Sequence, residues 1–443
     1  MLRACNDDWP TADRRTPAGV LVVVILWAGV GLNLAVVAPL RNYLLDFRAY
    51  YAAGRALRMD INPYDAATVA RNVPLPGRQA LVPYVYPPPT LGVAYVFSHW
   101  PLEIAQVAWT LLQFALATCA LLLVCRIVGC PVGSPVSVLV AFAFLLSSSV
   151  SELFRWGQFD MVVVALLAAG LWALERAHPV QAGVWLGLAT VAKLTPGAYL
   201  IVLLVRREFK ALLVAVVVTI GLIGVAALPL PDGSLAQWRA NLARLSGDLT
   251  WNNVSLRGYL TNAFVEFAHE GGRSTPWIDL GPGVARAVAW ACVGVLTIAT
   301  IAWMICNRRS LTTAECIAAT VPVVLLCSPI TWTHHGVQTL LPLALIVSVV
   351  ARVPRPSRVD LASLSLIVFL LTIWPVQRFD LKLPDWLHHL AAPTFTYGVL
   401  LTWLFMITRY APLKRATEAE TACTGKKPLS EPLSPLGRGL GEG

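Results

Sequence analysis

Four stretches of this chain carry at most one charge each over the length of a membrane crossing. They are AGVLVVVILWAGVGLNLAVVAPL (18–40), IAQVAWTLLQFALATCALLLVC (104–125), ALLVAVVVTIGLIGVAALPL (211–230) and GVARAVAWACVGVLTIATIAWMIC (283–306). A hydrocarbon core needs roughly 20 residues of helix to cross it. Within lipid every backbone amide and carbonyl must be paired inside the protein, which leaves helices or closed barrels. Barrel strands alternate apolar and polar residues, and these Leu-, Ala- and Val-rich runs show no such alternation. The fold class is therefore all-α and polytopic. Charged residues make up only 13% of the 443, where soluble domains run near about 25%.

About twelve spans are expected, near 18–40, 88–99, 104–128, 135–152, 159–175, 181–205, 210–230, 284–306, 315–328, 335–351, 361–376 and 392–409. Arg14 and Arg15 precede the first run as they would in a signal peptide. That run is too long for a signal's apolar region and no small-residue cleavage site follows, so it reads as a retained span. The polar residues 1–16 form a cytoplasmic segment and 17–410 the membrane domain. Residues 411–443, rich in Pro, Gly and Ser toward their end, are expected to be a disordered cytoplasmic tail.

Short basic loops set the orientation. RREFK (206–210), NRR (307–309), ARVPRPSR (351–358) and RYAPLKR (409–415) belong in the cytoplasm. Alternation then puts loops 41–86, 231–283 and 377–391 outside. The run 88–99 is short, and 181–205 contains Lys193 and Pro196 and reads as broken, so the side on which RWGQFD emerges stays open. The net charge of +10 is scattered at span ends, which suits orientation and lipid phosphates and leaves no nucleic-acid patch. Nine cysteines show no CxxC spacing and mostly lie within apolar runs, where they behave as small apolar residues.

Polar groups concentrate where spans meet the outer surface. In LLDFRAYYAAGRALRMDINPYD (44–65), Phe47, Tyr50, Gly54 and Leu57 share a helical face beside a stripe of Arg48, Arg55 and Arg58. One reading is an interfacial helix with its rings in the acyl boundary. The other turns on Asp46, a carboxylate partly desolvated at the headgroups and suited to general-base work. NPYD ends the helix in a turn, and YVYPPPT (84–90) stiffens the return to the membrane, with Tyr84 and Tyr86 in the aromatic belt.

ELFRWGQFDMVV (152–163) gathers Glu152, Arg155, Gln158 and Asp160 at a span boundary, where such groups face a cavity or pair with one another, as Arg155 with Glu152 or Asp160. Lys193, just before Pro196, marks a broken helix whose ammonium meets either an anionic ligand or a buried acid. DLTWNNVSLRG (248–258) offers Asn252, Asn253, Ser255 and Arg257 for hydroxyls or a phosphate. CSPITWTHHGVQ (327–338) sets Trp332, His334 and His335 at the outer end of a span. Adjacent helical side chains diverge by about 100°, so the two imidazoles do not readily share one metal, and further ligands at zinc spacing are missing from the sequence. The pair His388 and His389 reads as an interfacial feature.

Taken in order, DFRAYYAAGRAL, NPYD, YPPPT, GQFD, AKLTPG, NNVSLRG and SPITWTHH resemble the polyprenol-phosphate-sugar-dependent enzymes of glycosyltransferase family 87, over roughly residues 18–410. The resemblance implies a GT-C fold with its active site at the extracytoplasmic surface of the cell membrane. It also implies transfer of a hexose, mannose above all, or a pentose from a polyprenyl phosphate to a glycolipid or glycan of the envelope, with inversion. By position Asp46 matches the loop acid that serves as general base, and His334 or His335 the histidine near the donor phosphate. Lys193 and Arg257 are further phosphate-binding candidates. Substrate contacts are expected of Tyr50, Asn62, Tyr64, Tyr86, Gln158, Asp160, Asn253, Ser255 and Trp332. Cationic side chains facing a departing monophosphate make a metal unnecessary, so no cofactor is expected. The alternative is a transporter or lipid flippase, which calls for internal pseudo-symmetry and a midplane site rather than polar groups gathered at one surface.

Overall fold

The computed structural model of the chain describes residues 24, 28, 29, 31, 44–75, 82–247, 253–266, 268, 269, 272, 273, 276–372 and 393–423. In chain order the helices are α1 (Leu45–Arg58), α2 (Ala66–Asn72), α3 (Thr90–Phe97), α4 (Leu102–Ile127), α5 (Pro135–Leu145), α6 (Ser148–Trp156), α7 (Asp160–Glu175) and α8 (Pro179–Ala192). They continue as α9 (Leu200–Arg206), α10 (Phe209–Ala227), α11 (Ser234–Gly247), α12 (Leu256–Phe264), α13 (Gly281–Cys306), α14 (Thr313–Cys327), α15 (Leu340–Arg352), α16 (Arg358–Thr372), α17 (Thr394–Phe405) and α18 (Ala411–Cys423). Short 3-10 turns at Thr195–Tyr199 and Thr333–Thr339 lead into α9 and α15. The strands among the described residues are an antiparallel pair of two residues each, Ala268–His269 and Gly272–Arg273.

Four helical stretches among the described residues are long and apolar enough to cross a bilayer: Leu102–Ile127, Phe209–Ala227, Gly281–Cys306 and Thr333–Arg352. α5 and α6, bent by 51° at their junction, make a fifth if they form one span. Shorter apolar helices at Pro179–Ala192, Thr195–Arg206 and Thr313–Cys327 accompany them. Among the described residues the full-length spans thus number four, or five with the bent pair, against the twelve expected of the whole chain. The 18–40 run, apart from scattered helical positions, lies outside the described residues, as do loop 377–391 with His388 and His389, Asn252, and residues 424–443. The outward faces of α10 and α13 leave Leu213, Ile220, Val295 and Ile298 exposed, as lipid-facing helices do. The chain is a membrane protein.

Two expected spans are corrected by the structure. The run 88–99 folds as α3, eight residues and about 12 Å long, too short to cross. It lies against α1 so closely that a Cβ on Gly54 would stand 2.2 Å from the Ala94 carbonyl oxygen. The run 181–205 is two legs rather than one. Gly183 abuts Ala211 and Val214, and Gly187 abuts Ala215 and Val218, so α8 and α10 run in the same direction. The segment between them, from Lys193 to Arg206, therefore runs back.

Two readings at the chain's ends also change. The rings of α1 do not enter lipid: Phe47, Tyr50 and Tyr51 are buried in protein. Phe47 stacks on Trp109 at 5.4 Å between centroids and meets Phe97 edge-on at 5.7 Å. The tail expected to be disordered from 411 begins as α18, whose Lys414 is ion-paired to Glu315 at 2.8 Å.

Candidate active site

The turn after α6 delivers Gln158 to the first turn of α1. Gly157 ends α6 with φ +72°, a conformation glycine adopts without cost. A Cβ there would stand 2.7 Å from Leu44 and 2.8 Å from Phe47, so the turn can sit flush on α1 only with glycine at that position. The Leu44 amide donates to the Arg155 carbonyl at 2.6 Å, and the Trp109 indole donates to the Gly157 carbonyl at 2.9 Å. Thus pinned, the Gln158 amide nitrogen donates to the Asp46 carboxylate. Its carbonyl oxygen accepts from the Tyr86 hydroxyl and lies 3.0 Å from that of Tyr50, itself 2.9 Å from Tyr86. This contact puts GQFD at the same end of the bundle as loop 41–86.

Asp46 is half-buried, and its carboxyl is crowded by protein. That burial raises its pKa to about 7, against the pull of the Gln158 hydrogen bond and the Lys193 charge. Burial also pushes the Tyr50 and Tyr86 phenols well above their usual range, so both remain neutral.

A second group lies beside the first. Asp160 opens α7 and is 0% exposed. Lys193 is extended at the break between α8 and the 3-10 turn, with φ −157° and ψ 134°, and the break carries its ammonium to 2.9 Å from both Asp160 oxygens. The expected Arg155 pair forms with Glu152 at 3.7 Å, leaving Asp160 to Lys193. The ammonium also stands 5.9 Å from the Tyr86 ring centre. His334 Nε2 is 3.8 Å from Asp160, the two imidazole rings are 4.6 Å apart, and Trp332 lies 5.6 Å from each. His335 Nε2 is buried without a hydrogen-bond partner. Lys193 and Asp160 both act on the charge of Asp46, so the two groups share one electrostatic environment.

Asp160, His334 and His335 each bring a ligand atom to within 4.8 Å of the others, and all three residues are buried. The sequence concealed this set because Asp160 joins the histidines only through the fold. The place a cation would take on Asp160, however, is held by the Lys193 ammonium.

The remaining candidates support these groups. Asn62 accepts from the Tyr64 amide at 3.0 Å, and the Tyr64 hydroxyl donates to the Tyr86 carbonyl at 3.1 Å. Asn253 accepts from the Thr331 amide at 3.0 Å and donates to the Pro329 carbonyl at 2.9 Å, while Ser255 caps α12. These bonds tie NNVSLRG to the SPITW loop that leads to the histidines. Arg257, half-buried, follows on the first turn of α12. Gln338, which did not stand out in the sequence, bonds the Asp160 carboxylate and accepts from the Tyr199 hydroxyl at 2.7 Å. Its one signal was a polar residue four positions after His334 at the head of an apolar run.

The profile of glycosyltransferase family 87 matches residues 84–329. A polyprenol-phosphate-mannose-dependent α-(1-2)-phosphatidylinositol pentamannoside mannosyltransferase of Mycobacterium tuberculosis is 26% identical over 339 residues, 74% of this chain and 72% of the relative. A polyprenol-phosphate-mannose-dependent α-(1-2)-phosphatidylinositol mannoside mannosyltransferase of the same species is 27% identical over 370 residues, 79% and 81% of the two chains. Its namesake from Mycolicibacterium smegmatis is 28% identical over 320 residues, 68% and 66%.

Proposed function

From the premise that the chain belongs to glycosyltransferase family 87 and is a membrane glycosyltransferase, we propose that it transfers mannose from a polyprenyl phosphate to a glycolipid of the cell envelope with inversion, Asp46 being the general base. The fold is read as GT-C, and the reaction takes place at the extracytoplasmic face of the cell membrane. The donor and the glycolipid class of acceptor are those in the relatives' names. One observation carries the chemistry: the Asp46 carboxylate, held by the Gln158 amide, lies in the field of the Lys193 ammonium, which is bonded to Asp160 beside His334 and His335.

In this reading Asp46 takes the proton of the acceptor hydroxyl as its oxygen attacks the anomeric carbon. The bond to the phosphate oxygen breaks on the opposite face, and the polyprenyl phosphate leaves with the bonding pair. Lys193 offsets the charge that develops on it, and His335, whose Nε2 has no partner in the protein, bonds a phosphate oxygen. Arg257 is a further phosphate contact, and Trp332 a wall for the sugar. A tethered ammonium does here what a divalent ion does elsewhere, so transfer is metal-independent. Transfer in membranes should be unchanged by a chelator; loss on chelation and recovery with a divalent ion would reverse that assignment.

The test of the base is Asp46→Asn in membranes supplied with labelled polyprenyl-phosphate mannose and a phosphatidylinositol mannoside. Removing a general base costs roughly 100- to 10,000-fold in rate. Transfer at the wild-type rate would take Asp46 out of the mechanism.

A further inference from the structure

Gln158 reads from the sequence as a substrate contact, but its side chain is 3% exposed and both ends of its amide are engaged by protein. We propose that Gln158 is a positioning residue for Asp46, its amide locked in one orientation by Tyr50 and Tyr86 so that it always presents a donor to the carboxylate. The proposal rests on the reading of Asp46 as general base and adds what keeps that base aimed and ionised.

An amide has a donor end and an acceptor end, and its orientation is fixed by its neighbours. An ionised Asp46 only accepts hydrogen bonds, so the facing atom has to be the amide nitrogen. The amide oxygen then points the other way, toward two phenols. The Tyr86 proton serves that oxygen, and the Tyr50 proton serves either the same oxygen or the Tyr86 hydroxyl. Both phenols are held neutral by burial, so they remain donors across the working range. A protonated Asp46 would want the reverse, an acceptor facing its new O–H. Turning the amide to supply one would face its NH₂ to the tyrosines and cost the bonds they now donate to it. The relay therefore favours the carboxylate over the acid and opposes the upward push of burial.

The other groups acting on Asp46 come from separate elements. Lys193 at the end of α8 favours its ionised form; Asp160 at the start of α7 opposes it; Tyr50 on its own helix and Tyr86 before α3 stand behind the amide. The relay is local to these neighbours. Gly157 and the Trp109 indole hold the Gln158 backbone whether or not the amide is present, so a side-chain variant need not move α1.

The experiment is the pH profile of transfer from polyprenyl-phosphate mannose by the full chain in membranes, for wild type, Gln158→Met and Tyr86→Phe. Methionine matches the length of glutamine but makes no strong hydrogen bond. The expected result for Gln158→Met is a rate about 5-fold lower at pH 7, an acid limb displaced upward by about one pH unit, and recovery of much of the rate above the new limb, with little change in KM. Tyr86→Phe should shift the limb in the same direction by less, and it carries the test if Gln158→Met does not accumulate. An unmoved limb in both variants, or a raised KM for donor or acceptor as the main effect, would make Gln158 a scaffold or substrate contact and overturn the proposal. Asp46→Asn separates the two levels of the argument. Activity in that variant removes the general base itself, whereas an inactive Asp46→Asn beside an unmoved limb in Gln158→Met refutes only the relay.

Discussion

Two buried lysine–carboxylate pairs of nearly equal length sit at opposite ends of the bundle, and only one belongs to the candidate site. Lys193 meets Asp160 at 2.9 Å where α7 begins; Lys414 meets Glu315 at 2.8 Å, near Glu175, where α7 ends about 24 Å away. At the far pair the bonding is complete. Glu315 closes the capping box of α14 with the Thr312 amide and accepts from the Tyr410 hydroxyl, while Lys414 also donates to the Ser310 carbonyl. Each of those partners is a fixed part of the scaffold. At the near pair the surroundings are a second acid, a tyrosine ring and an imidazole nitrogen with no partner. An ion pair inside a membrane protein is therefore weak evidence of function by itself; what identifies a site is polar capacity left over after the pair has formed.

The comparison breaks or holds on three measurements. The largest expected effect is on Lys193→Met, which should lower transfer roughly 100- to 1,000-fold by removing the ammonium proposed to offset the charge on the leaving phosphate. It should also cost about 3–5 kcal/mol of stability, because Asp160 is left buried and uncompensated. Adding Asp160→Asn should restore much of the melting temperature and none of the transfer. A double variant that regains activity would mean the near pair is scaffold like the far one.

The next effect is on pH dependence. With the Asp46 carboxyl raised to about 7, the base form accumulates as pH rises, so kcat/KM should climb about tenfold per unit below pH 7 and level above it. The same shift makes folded protein favour the acid form, so any contribution of Asp46 to stability is greatest at low pH and is lost as pH rises through about 7. Lys193→Met should move the limb upward, since its charge now favours the carboxylate. A limb unaffected by Lys193 would separate the two halves of the site.

The smallest effect is reserved for Lys414→Met. It should destabilise by about 3 kcal/mol through the stranded Glu315, seen as a lower melting temperature, yet leave kcat per folded molecule and the acid limb where they are. A change in either would mean that the far end is coupled to the chemistry.

Much of the candidate site was legible as a list of residues and little of it as a geometry. Asp46, Gln158, Lys193 and the histidine pair stand out because polar groups at span ends are costly and rarely idle. Their partners do not, since Gln158 meets Asp46, and Asp160 meets Lys193 and His334, only through long-range packing. The span list failed at two places for one reason. Hydropathy measures apolar length and is blind to direction, so an eight-residue helix packed on α1 and a pair of antiparallel legs each pass for one crossing. The contact between Gln158 and Asp46 answers what the sequence left open, since it puts GQFD at the end of the bundle where Asp46 lies.

By itself the sequence determined an all-helical membrane chain with polar groups gathered at the ends of its apolar runs, because uncharged runs of that length can satisfy their backbone in lipid only as helices. It also carried the family resemblance, since the motifs keep their order whatever the packing. Which acid receives the lysine, which faces an amide and which nitrogen is left unsatisfied were decided by tertiary structure alone. Those outcomes depend on side-chain atoms meeting within about 3 Å, and no one-dimensional spacing specifies such contacts between helices.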